Sequence, residues 1–173
     1  RTTGIWQTVW LEAAGATGLE SCQIIPDLDN SKFVFVPKFR NARPGIKFKV
    51  SVKDGDKTVA ETKTAASDGA PCEVPLKSPE TWSPESPFLY SIELCVLDKS
   101  GEVLDSVSSY AGLRKVHIEG DKLLLNNKPL YQRLVLDQGF YPDGIWTAPD
   151  DEALKKDIEL SMKAGFNGAR LHQ

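Results

Sequence analysis

Two aspartates, Asp137 and Asp143, bracket a short aromatic stretch that includes Tyr141, with Trp146 just beyond it. Carboxyl groups held across from one another are the minimal equipment for acid–base and nucleophilic chemistry. Both aspartates follow a run that reads as a strand, yet loop aspartates are mostly solvated turn residues, so neither is expected to be a nucleophile or a proton donor. Tyr141 and Trp146 could stack on a ring-shaped ligand or simply cover an apolar edge. His117 and His172 share no metal-ligand spacing, and His117, inside a strand-like run, reads as a packing or surface residue. Cys22, Cys72 and Cys95 are widely spaced and odd in number. They fit unpaired structural thiols, or one bridge with a spare thiol, better than a metal site or a disulfide framework. No metal and no cofactor is expected.

The elements that would position these residues come in two styles. Up to about Val116 the chain alternates short β-type runs with turn clusters: Ile5–Leu11, Lys32–Phe39, Ile46–Lys53, Thr58–Thr64, Cys72–Leu76, Phe88–Leu97 and Val103–Tyr110. This spacing predicts an all-β sandwich. Phe48, Val50 and Val52 alternate with lysines and serine, so one face of that strand is core and the other wet. Tyr90, Ile92, Leu94 and Val96 share a face, which places Cys95 on the opposite one and predicts that its thiol is not deeply buried. Turns are expected at 41–45, 53–56 and 98–101, each holding glycine with asparagine or aspartate.

Beyond Val116 the period changes. His117–Leu125 and Lys128–Leu136 read as strands around Asn126-Asn127, a pair tolerant of left-handed φ. Ala148–Ala164 reads as a helix with Leu154, Ile158, Ser161 and Met162 on one side, acids at its start and Gly165 at its end. Phe166–Leu171 then opens another strand. Strand, helix, strand with such a crossover is a βαβ unit, which needs a parallel sheet with further strands to bury its faces. A chain of 173 residues, 40% of them hydrophobic, can hold a sandwich but not a large barrel as well. The net charge of −3 offers no basic field for nucleic acid or an anionic membrane. No stretch is long and apolar enough to span a bilayer, and Arg1-Thr-Thr-Gly4 resembles neither an initiator nor a signal peptide, so the chain reads as an excised piece.

Four local patterns together resemble family 2 of the glycoside hydrolases, the β-galactosidase and β-glucuronidase type. They are Gly4-Ile-Trp-Gln-Thr-Val-Trp-Leu11; Trp82-Ser-Pro-Glu-Ser-Pro-Phe-Leu-Tyr90; Gly112-Leu-Arg-Lys-Val116 with Leu124-Leu-Asn-Asn-Lys-Pro-Leu130; and Ala164-Gly-Phe-Asn-Gly-Ala-Arg170. The second is the most specific. The resemblance implies three segments. Residues 1–12 would be the last strand of a sugar-binding jelly-roll domain and 13–113 an immunoglobulin-like β-sandwich. Residues 114–173 would be the N-terminal part of a catalytic (β/α)8 barrel, comprising a hairpin, strand 1, helix 1 and strand 2. The overall expectation is a mainly β protein: an immunoglobulin-like sandwich followed by the truncated βαβ start of a barrel.

Glycoside hydrolysis with retention needs two carboxyl groups about 5 Å apart across the scissile bond. The resemblance places both, as glutamates, beyond Gln173, so no catalytic residue is expected in this chain. The parent would be a retaining O-glycosyl hydrolase acting on a carbohydrate, and this segment alone would be inactive. Arg170, at the end of the second barrel strand, would hold the nucleophilic glutamate ionised and oriented, or would pair with some other nearby acid. Asp137, His172 and Trp146 are the remaining candidates for substrate contact or active-site support. The chain departs from the family's usual Arg-Gly-x-x-x-His, having Arg133-Leu-Val-Leu-Asp137-Gln-Gly, and His172 follows Arg170 by two residues rather than three. The choice among galactoside, glucuronide and mannoside does not follow from these residues, and a periplasmic or secreted setting rests on the family resemblance alone. The alternatives are a free-standing immunoglobulin-like module binding carbohydrate or protein, and a repacked chain in which the helix at 151–164 covers a sheet or swaps into a neighbour.

Overall fold

The computed structural model describes residues 4–5 and 8–172. Alternating apolar side chains build two antiparallel sheets from β1 (Gly18–Asp27), β2 (Lys32–Arg40), β3 (Lys47–Asp54), β4 (Lys57–Ala65), β5 (Cys72–Pro75), β6 (Tyr90–Leu97) and β7 (Val103–Ala111). The sheet orders are β1-β2-β5 and β4-β3-β6-β7. Because β2 feeds β3, and β4 feeds β5, across the gap between sheets, the connections are those of an immunoglobulin-like sandwich. The inward faces predicted for β3 and β6 are the observed ones, and on β2 it is Phe33 and Phe35 that face in. Phe33, Phe35, Phe48, Val50 and Val52 are fully buried, as are Ile92, Leu94 and Val96 of β6.

Aromatic rings fill the gap between the sheets. Phe33 meets Tyr90 edge-on at 5.8 Å, and Phe39 meets Phe48 at 5.4 Å, separations at which edge-to-face contacts add to the burial of large apolar area. At one margin Asp105 of β7 accepts the Leu19 N–H at 2.8 Å, while Arg40 donates to the Leu19 carbonyl at 2.7 Å and lies 3.5 Å from Asp105. Strand β1 is thereby tied to both sheets. On the outer face, Lys53–Glu93, Lys49–Glu61 and Lys32–Glu73 pair across neighbouring strands.

Four sequence expectations are corrected. Strand β1 is absent from the pattern reading, because Glu20, Ser21, Gln23 and Pro26 obscure its alternation; it lies at a sheet edge, where proline is tolerated. The described part of 5–11 is not a strand: its backbone has no ladder partner among the described residues, and Val9, Trp10 and Leu11 are exposed. His117–Leu125 is itself a hairpin, turning at Gly120. Cys95 is buried, contrary to its face assignment. It sits on the outer face of an interior strand, beside the longer Lys49 of β3 and with its sulfur 3.6 Å from the Ser106 hydroxyl of β7, so its neighbours shield a small side chain.

All three thiols are free. Cys22 stands opposite Pro37 and Cys72 opposite Phe35, on strands either side of β2. Two strand spacings separate them by about 9.6 Å, beyond the roughly 7 Å limit for a disulfide. Burial, and then the nearby Cys72, push the Cys22 thiol up to about 11. Oxidation followed by mass mapping should therefore leave Cys22 and Cys72 unbridged, and the iodoacetamide reaction of Cys22 should be slow at pH 8 and accelerate until about pH 11; fast labelling at pH 8 would contradict the burial.

Candidate functional site

The motif residues of the sandwich converge on one cluster. After β7, Gly112 passes so close to Trp82 that an added Cβ would lie 2.9 Å from the Trp82 Cβ. Leu113 is fully buried, its carbonyl accepting the Trp82 N–H at 3.0 Å, and the Arg114 guanidinium lies 4.5 Å above the Trp82 ring. This is a cation–π contact. A hairpin follows, β8 (Val116–Glu119) and β9 (Lys122–Leu125), with β10 (Lys128–Pro129) beside β9. Asn126 and Asn127 take φ of 51° and 64°, as expected of that pair.

Asn126 closes the cluster with three bonds. Its N–H donates to the Lys115 carbonyl at 2.8 Å, its Oδ1 accepts the Lys115 N–H at 3.0 Å, and its Nδ2 donates to the Trp82 carbonyl at 2.9 Å. The side-chain amide supplies the donor and acceptor that a missing strand would have supplied. Lys115 also pairs with Asp29 in the β1–β2 turn, and Asn127 donates to the same carboxylate. The Lys115 hydrogen bond, then that of Asn127, hold the Asp29 carboxyl below its ordinary 3.8.

The remaining described residues, 4–12 with 130–172, group separately from 13–129. They contain the expected βαβ unit: β11 (Leu134–Asp137), α1 (Asp151–Lys163) and β12 (Gly168–Leu171), with β11 and β12 paired in parallel. Asp150, one of the acids expected at the helix start, is its cap, accepting the Ala153 N–H at 2.8 Å, and Asp151 and Glu152 face the positive end of the dipole. Gly165, at φ 93°, ends the helix: its N–H reaches Met162 O and the Phe166 N–H reaches Ser161 O, a Schellman closure.

Asn167 repeats the Asn126 pattern. Its N–H donates to the Arg133 carbonyl at 2.9 Å, its Oδ1 accepts the Arg133 N–H at 2.7 Å, and its Nδ2 donates to the Tyr131 carbonyl at 2.8 Å. Arg133 Nε adds a bond to Gly165 O. The register of the two parallel strands is thus pinned at their N-terminal ends.

The sequence-derived site residues lie at the other end. Register pairs Leu136 with Arg170 and Asp137 with Leu171, and successive residues point to opposite faces. Arg170 therefore shares a face with Leu134 and Leu136, while Asp137 points to the other, so these two candidates are not brought together. Arg170 is exposed, with no ion pair among the described residues. Asp137 caps its own turn, accepting the Gly139 N–H at 2.8 Å, and its carbonyl accepts the His172 N–H at 2.9 Å. Among the described residues neither His172 Nδ1 nor His117 Nδ1, both buried, has a hydrogen-bond partner. The Tyr141 hydroxyl donates to Asp157 of α1 at 3.0 Å. Trp146 instead meets Phe140 edge-on at 5.4 Å. Phe140 was not singled out from sequence, since a phenylalanine beside a tyrosine carries no signal of exposure.

Comparison with known proteins agrees with this geometry. The family model for glycosyl hydrolases family 2 matches residues 19–114, the span from β1 through Arg114. The chain belongs to that family. A β-galactosidase of Lactococcus lactis is 35% identical over 102 residues, covering 59% of this chain and 10% of the relative. A β-galactosidase of Aeromonas hydrophila is 27% identical across 98% of this chain and 18% of its own length. The chain thus spans about a tenth to a fifth of the relatives it matches. Among solved structures, a β-glucuronidase from Ruminococcus gnavus bound to uronic deoxynojirimycin superposes with a TM-score of 0.79 at 21% identity, over 92% of this chain and 26% of that one. That likeness concerns the fold.

Two outcomes follow for the hairpin cluster. Asn126→Ala should lower the free energy of urea unfolding by about 2–4 kcal/mol, from two lost bonds, stranded backbone groups and a left-handed alanine; Asn126→Gly should cost less, since it removes the last of these. Because the Asp29 carboxyl is depressed, its contribution is complete above about pH 4 and fades as pH falls from its ordinary value toward its folded one. An Asp29→Asn variant should therefore differ from wild type at pH 6, and the difference should shrink as pH falls below 3.8 in thermal melts.

Proposed function

We propose that this chain is the linking segment of a longer retaining exo-glycosidase, of the kind that hydrolyses β-galactosides or related β-glycosides. In this reading 13–113 is the immunoglobulin-like middle domain, 114–173 begins the catalytic (β/α)8 barrel, and 1–12 ends a preceding sugar-binding domain. The observation that carries it is the continuation of a family 2 sandwich directly into a parallel β11–α1–β12 unit. A self-contained binding module has no use for that unit. Helix α1 buries none of its residues, and Leu154, Ile158, Leu160 and Met162 are all exposed. That is the condition of a barrel's first helix without its neighbours.

The segment's role in the parent is mechanical: the sandwich holds the sugar-binding domain against the barrel mouth so that loops of both shape the pocket. The carboxyl pair lies on later barrel strands, and the carbohydrate is the substrate of the whole enzyme. Arg170, at the C-terminal end of β12, supports the active site from the face it shares with Leu136. Asp137, His172 and Trp146 lie at the same mouth, where such barrels build their chemistry. No cofactor is assigned.

Side-by-side hydrolysis of a nitrophenyl glycoside panel by this chain and by the full-length protein tests the reading. The full-length protein should cleave one sugar and this chain none. Turnover by this chain alone would place a carboxyl pair within 1–173 and overturn the assignment.

A further inference from the structure

The loop from 138 to 149, between β11 and α1, is more constrained than a solvated connection needs to be. Tyr141 and Ile145 form an antiparallel bridge with reciprocal bonds of 2.9 and 3.0 Å, and the Tyr141 hydroxyl fastens this bridge to Asp157 of α1. Ile145 sits at φ 58°, a conformation strongly disfavoured for a β-branched side chain, and a Cβ on Gly144 would fall 2.1 Å from the Thr147 carbonyl oxygen. Strain of this kind persists only where the surroundings over-determine it, and it clusters at ligand sites. What the tight turn presents is an aromatic pair, Phe140 at 66% exposure with its neighbour Trp146 at 36%.

Resting on the glycosidase reading above, we propose that Phe140, braced edge-on by Trp146, is a platform for the leaving-group side of the substrate, stacking on the flat apolar face of an aglycone ring. Phe140 has no hydrogen-bonding group, so it can read a ring face but not the hydroxyl pattern that distinguishes one reacting sugar from another. The loop follows the C-terminal end of β11, the end that also carries Asp137 and His172. The aglycone face could belong to an aryl group or to a second pyranose; both offer the same apolar surface.

The test is Phe140→Ala in the full-length protein, assayed on glycosides that share the reacting sugar and differ in the aglycone: methyl, nitrophenyl and a disaccharide. Stacking predicts a loss in kcat/KM of about five- to tenfold for the ring-bearing aglycones and a change within about twofold for the methyl glycoside. Loss on the nitrophenyl substrate alone assigns an aryl preference; loss on the disaccharide assigns a second sugar. Phe140→Trp, which keeps an aromatic face, should restore most of the activity, and both variants should melt as wild type does. Equal effects on all three substrates, or none, would overturn the platform while wild-type cleavage leaves the glycosidase reading standing. If the wild type cleaves no glycoside, that reading fails and the platform fails with it.

Discussion

Backbone groups at the end of a strand must find partners, and this chain solves that problem twice with one asparagine amide. Asn126 and Asn167 each exchange a donor and an acceptor with a single residue of a neighbouring segment, then reach a third carbonyl with Nδ2. The first joins the β8–β9 hairpin to the Trp82 segment of the sandwich. The second fixes where β11 and β12 begin. Neither aspartate, lacking the donor, nor glutamine, one methylene longer, reproduces both halves of the pattern at the same reach. The Gly112 approach to Trp82 and the Arg114 ring contact stand on the first clamp, and the placement of Arg170 and Asp137 at the far end of the parallel pair stands on the second.

The sandwich was legible because its inner faces obey a period of two over long strands. Phe48, Val50 and Val52, and Tyr90 through Val96, could be assigned from pattern alone. Strand β1 could not, because an edge strand with Pro26 and an outer face of Glu20 and Ser21 resembles a loop in composition. Cys95 shows a different limit: a face assignment tells which way a side chain points, but not how tall its neighbours are. The helix start was read slightly early because Thr147 and Asp150 are both competent caps, and only the fold decides which one is used.

At the C-terminal ends of β11 and β12 the sequence named several residues and the structure sorts them. Asp137 is committed to its own turn, Tyr141 to the helix, and Arg170 to a face that Asp137 does not share. Phe140 is drawn into view by the turn that holds it and by its ring contact with Trp146, neither of which has a signature in residue type or spacing. The two clamping asparagines lay inside recognised motifs, yet their role appears only once both bonded segments are in view.

The division of the chain has a consequence for the order of events during synthesis. Every residue of the sandwich and its hairpin has been made once Pro129 leaves the ribosome, and the pairings involved are antiparallel and local enough to form at that stage. The β11–α1–β12 unit can form its ladder but leaves α1 uncovered, and a parallel sheet gains its burial only when distant strands arrive. The sandwich and its hairpin can thus set early, before the parallel unit has gained its burial.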